Sequence, residues 1–240
     1  MEQPIQKIEE HKLKIIEIID EALNVKTFRL QMAENVKISF FPGQFFMVRF
    51  EDAPKMQRAY SIASSPEKNH LDITMNLVGE FTNRLFKANV GDYLIFKGPY
   101  GKFYFNEQIK NDITLIGGGL GITPLMSLIR YCNDKKLPNS LNLIYSVKTS
   151  QDIIYYNEIK KIKGQNKNFN YAITITRPNA EDKWDGMTGR INLELLKQNT
   201  KNIEKSLYYI CGPLDFVKSM IAMLESLNVK KGQIKTDIWG

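Results

Sequence analysis

From Asp112 to Cys132 the chain reads DITLIGGGLGITPLMSLIRYC, and this stretch narrows the available architectures more than any other. Ile113 to Ile116 is an apolar run of strand length that stops abruptly at Gly117, Gly118, Gly119 and Gly121. Lacking a Cβ, such residues reach φ > 0 and let backbone N–H groups approach a ligand closely. Thr123 then stands where a helix N-cap is expected. Pro124 stands where the first helical residue is expected, because its missing N–H costs nothing there. Leu125, Leu128, Ile129 and Cys132 follow at i, i+3, i+4 and i+7, one face of a helix. Strand, glycine turn and helix together make a unit whose helix N-terminus suits a pyrophosphate. A plain tight turn is the other reading of the same residues. The G-x-G-x-x-G fingerprint is incomplete: Pro124 replaces the third glycine, and no Asp or Glu closes the next strand, Leu141 to Tyr145. Dinucleotide binding is expected, and an ordinary Rossmann dehydrogenase is not.

The chain before this unit has a different pattern. Leu13 to Ile19, Thr27 to Met32, Phe46 to Phe50, Arg58 to Ser65, Leu71 to Val78 and Tyr93 to Phe96 read as short strands. Pro42-Gly43 and Val90-Gly91-Asp92 punctuate them, and Thr82 to Ala88 is one helical interruption. Such spacing favours a small antiparallel β-barrel. From Ile113 onward, strands at Leu141–Val147, Tyr171–Thr176 and Tyr208–Cys211 alternate with helices near 125–131, 153–162, 193–197 and 215–227. That alternation predicts an α/β domain with a parallel sheet covered on both faces. The expected organisation is a barrel domain over 1–105 and an α/β domain over 106–240. A length of 240 residues with 43% hydrophobic content is enough for two cores.

Composition removes several classes. No apolar run reaches the ~18–20 residues that span a bilayer. The opening MEQPIQKIEEHK is polar and mixed in charge, unlike a signal or transit peptide, so a cytoplasmic protein is expected. Cys132 and Cys211 lie far apart and cannot hold an iron–sulfur cluster, and with only His11 and His70 besides, no resident metal is expected. The net charge of +7 invites a nucleic-acid reading. The lysines are spread along the chain without an RNA-binding signature or zinc finger, so the charge is read as steering towards an acidic partner protein.

Several short motifs then occur in a telling order. Arg58-Ala59-Tyr60-Ser61, Gly79-Glu80-Phe81-Thr82-Asn83-Arg84-Leu85, Gly98-Pro99-Tyr100-Gly101, the Gly117 to Pro124 loop and Cys211-Gly212-Pro213 sit on elements of the expected types. Together they resemble the signature of the ferredoxin–NADP reductase superfamily, in its single-flavin form without an iron–sulfur domain. The resemblance implies an FAD-binding barrel followed by an NAD(P)-binding α/β domain, and runs from about Leu13 to the end.

It also implies roles that the residue chemistry supports. The Arg58 fork suits a flavin pyrophosphate, or else makes a surface ion pair. Tyr60 offers a ring to stack on the isoalloxazine, and Ser61 a hydrogen bond near flavin N5; an ordinary strand tyrosine is the alternative. Gly79, Phe81 and Thr82 open a helix onto the second phosphate, with Thr82 otherwise a simple cap. Gly117, Gly118, Gly119, Gly121, Thr123 and Pro124 would hold the nicotinamide-nucleotide pyrophosphate. Cys211, with Gly212 and Pro213, would position the nicotinamide against the flavin, unless it is only a buried structural thiol. The ending Thr236-Asp237-Ile238-Trp239-Gly240 is similar to the family's carboxylate-x-aromatic terminus. There Trp239 would cover the flavin and Asp237 relay a proton, or Trp239 would simply be buried. Trp239 departs from the plant-type tyrosine, and a glycine follows it.

Coenzyme choice rests on strand ends. Lys148 follows the second strand without a carboxylate, and Thr176-Arg177 ends the next, resembling the Ser-Arg pair of NADP-using members. NADPH is therefore favoured over NADH, although Arg177 beside Pro178 also reads as plain surface. The implied activity is a flavoenzyme that takes hydride from NAD(P)H at FAD N5 and passes electrons to a separate acidic acceptor: a ferredoxin, a flavodoxin or an oxygenase component. The alternative is a non-catalytic flavin- or nucleotide-binding subunit of a larger complex.

Overall fold

The computed structural model describes residues 6–32, 38–179 and 184–239. Met1 to Ile5 of the polar opening and the final Gly240 lie outside the described residues. The chain forms two compact units: Met1–Asn106 with Met126–Asp134, and Glu107–Leu125 with Lys135–Gly240.

The first unit is a six-stranded antiparallel sheet built from β1 (Glu9–Ala22), β2 (Val25–Gln31), β3 (Phe45–Phe50), β4 (Ala53–Ser61), β5 (His70–Asn76) and β6 (Tyr93–Tyr100), in the order β4-β3-β6-β1-β2-β5. Alternation decides which face goes inward. Along β1, Leu13 and Ile15 are buried while Lys12 and Lys14 are exposed. Beyond them β1 and β2 slip register between Ile15 and Glu17, which leaves Ile16 as an exposed bulge residue. Phe28, Leu30, Phe46, Val48, Leu71, Ile73 and Phe96 are completely buried in the interior, each worth about 1.5–3 kcal/mol of transfer free energy. Ile62, just past β4, bridges Ile73 of β5, so the two outer strands of the order meet and the sheet closes on itself. Helix α1 (Glu80–Leu85) turns Phe81 and Leu85 into this core.

The second unit holds the parallel sheet. Its strands are β7 (Ile113–Gly118), β8 (Leu141–Val147), β9 (Phe169–Ile175), β10 (Met187–Thr188), β11 (Leu207–Pro213) and β12 (Ile234–Trp239), in the order β10-β9-β8-β7-β11-β12. Every pairing is parallel. Buried on both faces, β7 and β8 read as nearly continuous apolar runs, as covered parallel strands should. Helices α2 (Ile122–Asp134), α3 (Tyr156–Gln165), α4 (Leu193–Gln198) and α5 (Leu214–Ser226) provide the crossovers. From β7 the chain lays β8, β9 and β10 to one side and β11 and β12 to the other. The C-terminal end of β7, where the glycines begin, is therefore the topological switch point, the usual ligand position in an open α/β sheet. Among the described residues no helix is long and apolar enough to cross a membrane.

Candidate functional site

In the first unit the motif residues gather along β4 and at the start of α1. Arg58 is exposed; its Nη1 donates to the carbonyl of Gln57 at 2.8 Å, and no carboxylate pairs with it among the described residues. The surface ion pair that offered the simpler reading of Arg58 is thus absent there. Tyr60 is half-buried, its ring 5.6 Å from that of Phe81. Burial pushes the Tyr60 hydroxyl up to about 12, partly opposed by the Arg58 charge, so it remains a donor across the physiological range. Ser61 is half-buried at the end of β4, opposite Phe45 of β3.

The Thr82 hydroxyl is fully engaged in its own turn. It accepts from the N–H groups of Val78 and Gly79 at 2.9 and 3.0 Å and donates to the carbonyl of Gly79 at 3.0 Å. What this corner offers a ligand is therefore the first-turn backbone N–H groups of α1, which have no acceptor within the helix. Gly79 has an ordinary extended backbone, and a Cβ added to it would meet no protein atom within 4 Å. Neither conformation nor packing demands a glycine here, so the open space fits a ligand approaching the backbone.

Gln44 escaped the sequence reading. Buried in the Pro42-Gly43-Gln44 turn, it accepts from Phe41 N at 2.7 Å and its own carbonyl receives Ile62 N at 3.0 Å, which fixes the exit of β4 directly after Ser61. A polar residue inside a Pro-Gly turn that precedes a strand was the signal. A cavity of about 600 Å³ in this unit is lined by Phe50, Asp52, Arg84, Lys87 and Tyr93 among others, and by none of Arg58, Tyr60, Ser61 or Thr82.

In the second unit the glycine loop sits at the end of β7. The expected start of α2 needs correction: a short 3-10 turn over Gly119–Gly121 runs directly into a helix that begins at Ile122. Thr123 is therefore inside the first turn rather than its N-cap, and Pro124 is the third helical residue rather than the first. Proline is tolerated there because the first four N–H groups of a helix have no intrahelical partner. The consequence for Thr123 is chemical. Its hydroxyl is buried and has no hydrogen-bond partner among the described residues, an arrangement that costs free energy unless a ligand or water completes it.

The glycines divide by task. A Cβ on Gly121 would fall 2.8 Å from Gly212 N and closer still to the Cys211 carbonyl, so this glycine lets the loop pack on β11. Cβ atoms on Gly118 and Gly212 would strike the Phe216 ring at 3.0 and 2.7 Å. Phe216, also missed in the sequence, is the aromatic wedge between the loop and the C-G-P turn; its place one turn into the helix after Pro213 is the only local cue. Gly119 alone has a left-handed backbone, φ +56°, with the Trp239 ring 3.9 Å from its Cβ position. Gly117 packs under Leu125.

Parallel pairing of β11 with β12 puts Cys211 opposite Asp237 and Pro213 opposite Trp239. The Cys211 thiol donates to Asp237 Oδ2 at 3.9 Å. Burial, reinforced by the neighbouring carboxylate, holds the thiol well above its ordinary range, and burial also raises the Asp237 carboxyl. Cys211 is thus a protonated thiol at neutral pH and no thiolate nucleophile. Trp239 is 38% exposed. Gly117 to Gly121, Thr123, Cys211, Gly212, Asp237 and Trp239 all meet at this end of the sheet. Farther along, Lys148 and Arg177 stand side by side, with Arg177 N donating to Lys148 O at 2.7 Å; both are exposed and neither is in an ion pair among the described residues.

Comparison with known proteins agrees with this layout. Residues 12–105 match the oxidoreductase FAD-binding domain and residues 115–221 the oxidoreductase NAD-binding domain. The glycine betaine monooxygenase reductase component of Chromohalobacter salexigens is 28% identical over 222 residues, covering 90% of this chain and 60% of that protein. A component of the Na(+)-translocating NADH-quinone reductase of Haemophilus ducreyi is 26% identical, covering 92% and 65%. The chain thus spans under two thirds of the length of these relatives. In fold it superposes on the ferredoxin reductase of carbazole 1,9a-dioxygenase with a TM-score of 0.85 at 23% identity, covering 99% of this chain and 71% of that one. The two domain matches in tandem and the two-unit architecture place the chain in the ferredoxin–NADP reductase superfamily of flavoprotein oxidoreductases.

Proposed function

We propose that the chain is the reductase that draws electrons from NADPH through FAD and hands them to a separate acidic acceptor protein: a ferredoxin, a flavodoxin or an oxygenase component. The observation that carries this reading is the buried Thr123 hydroxyl, without a partner among the described residues, in the first helical turn after the glycine loop at the sheet's switch point, a donor suited to a phosphate or ribose oxygen. Bound FAD would supply the hydride acceptor and the conversion from two-electron to one-electron transfer. Arg58 would grip its pyrophosphate with the guanidinium N–H groups left over from the Gln57 contact. Tyr60, kept protonated, would donate to it, and the N–H groups at the start of α1 would take the second phosphate, with Thr82 holding that turn in shape.

At the coenzyme end, Thr123 and the loop amides would bind the dinucleotide. Cys211 would act as a neutral positioning group, since its thiol keeps its proton. Asp237, whose carboxyl burial raises above its ordinary range, would hold or relay a proton beside Cys211. Lys148 and Arg177, two cations on neighbouring strand ends with no ion pair among the described residues, support a 2′-phosphate ligand and hence NADPH. One relative is named for NADH, so the coenzymes are compared directly. The relative named for a monooxygenase reductase and the chain's net charge of +7 support an acidic protein acceptor.

The test is the anaerobic visible spectrum with NADPH and, in parallel, NADH. A yellow protein bleached fast by NADPH and slowly by NADH is expected. A colourless protein that takes up no FAD, or a yellow one bleached by neither coenzyme, overturns the reductase reading in favour of a non-catalytic binding role. Arg177→Ala should raise the KM for NADPH by roughly 10- to 100-fold, the worth of a charge-assisted hydrogen bond, and leave that for NADH unchanged. Equal effects on both would remove Arg177 from the phosphate.

A further inference from the structure

The end of the parallel sheet opposite the glycine loop is made of the segments that lead into each strand, and they are laced into one platform. Ile113 N donates to Ser140 O at 2.8 Å, Leu141 N to Asn168 O at 2.8 Å, and Leu207 N to Asp112 O at 2.9 Å. Three amide side chains complete the lacing. Asn139 Nδ2 donates to the carbonyls of Ile109 and Asn111 at 3.0 and 2.9 Å, and Asn111 Nδ2 to that of Lys205 at 3.0 Å. Gln233 Nε2 donates to the carbonyls of Glu204 and Ser206 at 2.8 and 2.9 Å.

From this platform project Lys110 ahead of β7, Lys136 ahead of β8, Lys167 ahead of β9, Lys205 ahead of β11, and Lys230 and Lys231 ahead of β12. All six are exposed, and none is in an ion pair among the described residues. The carboxylates of the same segments are Glu107, held by Lys135 at 3.3 Å, together with Asp112 and Glu204, and Glu225 stands in the last turn of α5. The lysines spread along the sequence are thus collected by topology: each strand begins at the same edge, so each lead-in delivers its charge there.

Two features select the partner. The lead-in segments hold no arginine, the residue suited to bidentate grip on phosphodiesters and base edges. None of the exposed large hydrophobic residues of this unit, such as Met187, Leu214 and Trp239, lies on them. A nucleobase therefore finds no ring to stack on, and a protein interface no aromatic anchor. What remains is a cluster of exposed lysines delivered to one end of the sheet, which suffices for a surface of anionic headgroups. We propose that this lysine platform docks the second unit onto membrane rich in anionic phospholipid, with the coenzyme end turned away from the bilayer by the length of the strands, about 20 Å for seven residues.

The experiment is sedimentation with vesicles of phosphatidylcholine alone and of phosphatidylcholine mixed with phosphatidylserine, at low and high salt. The expected result is binding to the mixed vesicles only, reversed by salt. Near such a surface each lysine is worth about fivefold in partitioning, so Lys205→Gln/Lys230→Gln/Lys231→Gln should weaken it by roughly 100-fold, with an unchanged thermal midpoint. Equal sedimentation with neutral vesicles, no sedimentation with either, or a triple variant that binds like the wild type overturns the proposal. Tighter retention on a polynucleotide than on the mixed vesicles, lost in the triple variant, reassigns the platform to nucleic acid. None of these readouts depends on flavin or coenzyme, so the reductase reading stands or falls separately.

Discussion

Gly121→Ala tests how the glycine loop is built. The added Cβ would lie 2.8 Å from Gly212 N and closer still to the carbonyl carbon and oxygen of Cys211. All three obstacles are backbone atoms, so no rotamer change relieves the overlap. Non-bonded carbon contacts settle at about 3.5–4.0 Å; the Gly119–Gly121 turn and the end of β11 must therefore separate by something on the order of 1 Å. Overpacking costs about 1–3 kcal/mol where side chains can yield, and here the backbone must, which places the cost at or above ~3 kcal/mol. At about 2–4 °C per kcal/mol for a chain of this size, Tm should fall by roughly 6–12 °C. Thermal unfolding followed by circular dichroism reads this directly. Gly119→Ala is the control, because its Cβ meets only the Trp239 ring at 3.9 Å and the cost is the left-handed backbone alone, about 1–2 kcal/mol. A Gly121→Ala protein that melts with, or above, the Gly119→Ala protein would refute the reasoning.

Gly79→Ala should leave the apoprotein's Tm unchanged, since the new methyl meets nothing, yet weaken FAD binding by tenfold or more, about 1.4 kcal/mol; equilibrium dialysis showing undiminished flavin removes the phosphate from this turn. Arg58→Ala should weaken FAD by roughly 10- to 100-fold through loss of a charge-assisted contact, and unaltered flavin fluorescence quenching on titration would show that the arginine serves elsewhere. The Asp237 carboxyl is raised above 3.8 in the folded chain, so between that value and its folded one the native state holds the extra proton. Stability therefore falls as pH rises through that interval and stays lowered above it. Asp237→Asn should accordingly melt higher than the wild type at neutral pH, the difference vanishing below the ordinary aspartate range; a pH-independent difference would argue against burial as the cause.

Much of the architecture is legible in the sequence because periodicity and punctuation agree. The switch from short alternating strands to strand–helix alternation follows from side chains that pack one face or two. Strand ends are less visible. β1 extends back to Glu9 because its outer face is charged, and Glu9, Glu10 and Lys12 look like tail until the pairing with β6 is known. β12 reads only as a terminal motif: Lys235 and Asp237 interrupt its apolar residues, and its strand character comes from β11 alongside. Capping rules place the start of α2 too late because they assume a non-helical residue before the proline, whereas the 3-10 turn over Gly119–Gly121 leads directly into a helix that begins two residues before Pro124. Among the site residues, chemical type is readable but occupancy is not. Nothing in the sequence distinguishes Thr82, whose hydroxyl is spent on its own turn, from Thr123, whose hydroxyl is buried without a partner among the described residues.

The pairing of Ile113 with Leu207 has a consequence in time. The glycine loop belongs to the first strand of its sheet, while the Cys211 and Asp237 beside it arrive on strands synthesised about a hundred residues later, so their meeting must await closure of a very long loop. The β-barrel draws its strands from residues 9–100 and is complete in sequence well before that. During synthesis, when N-terminal domains generally fold first, the chain passes through an interval in which its barrel can form and its coenzyme end cannot. A folding-competent fragment ending before β11 would carry the first half of the chemistry without the second, and the growing chain is in that condition each time it is made.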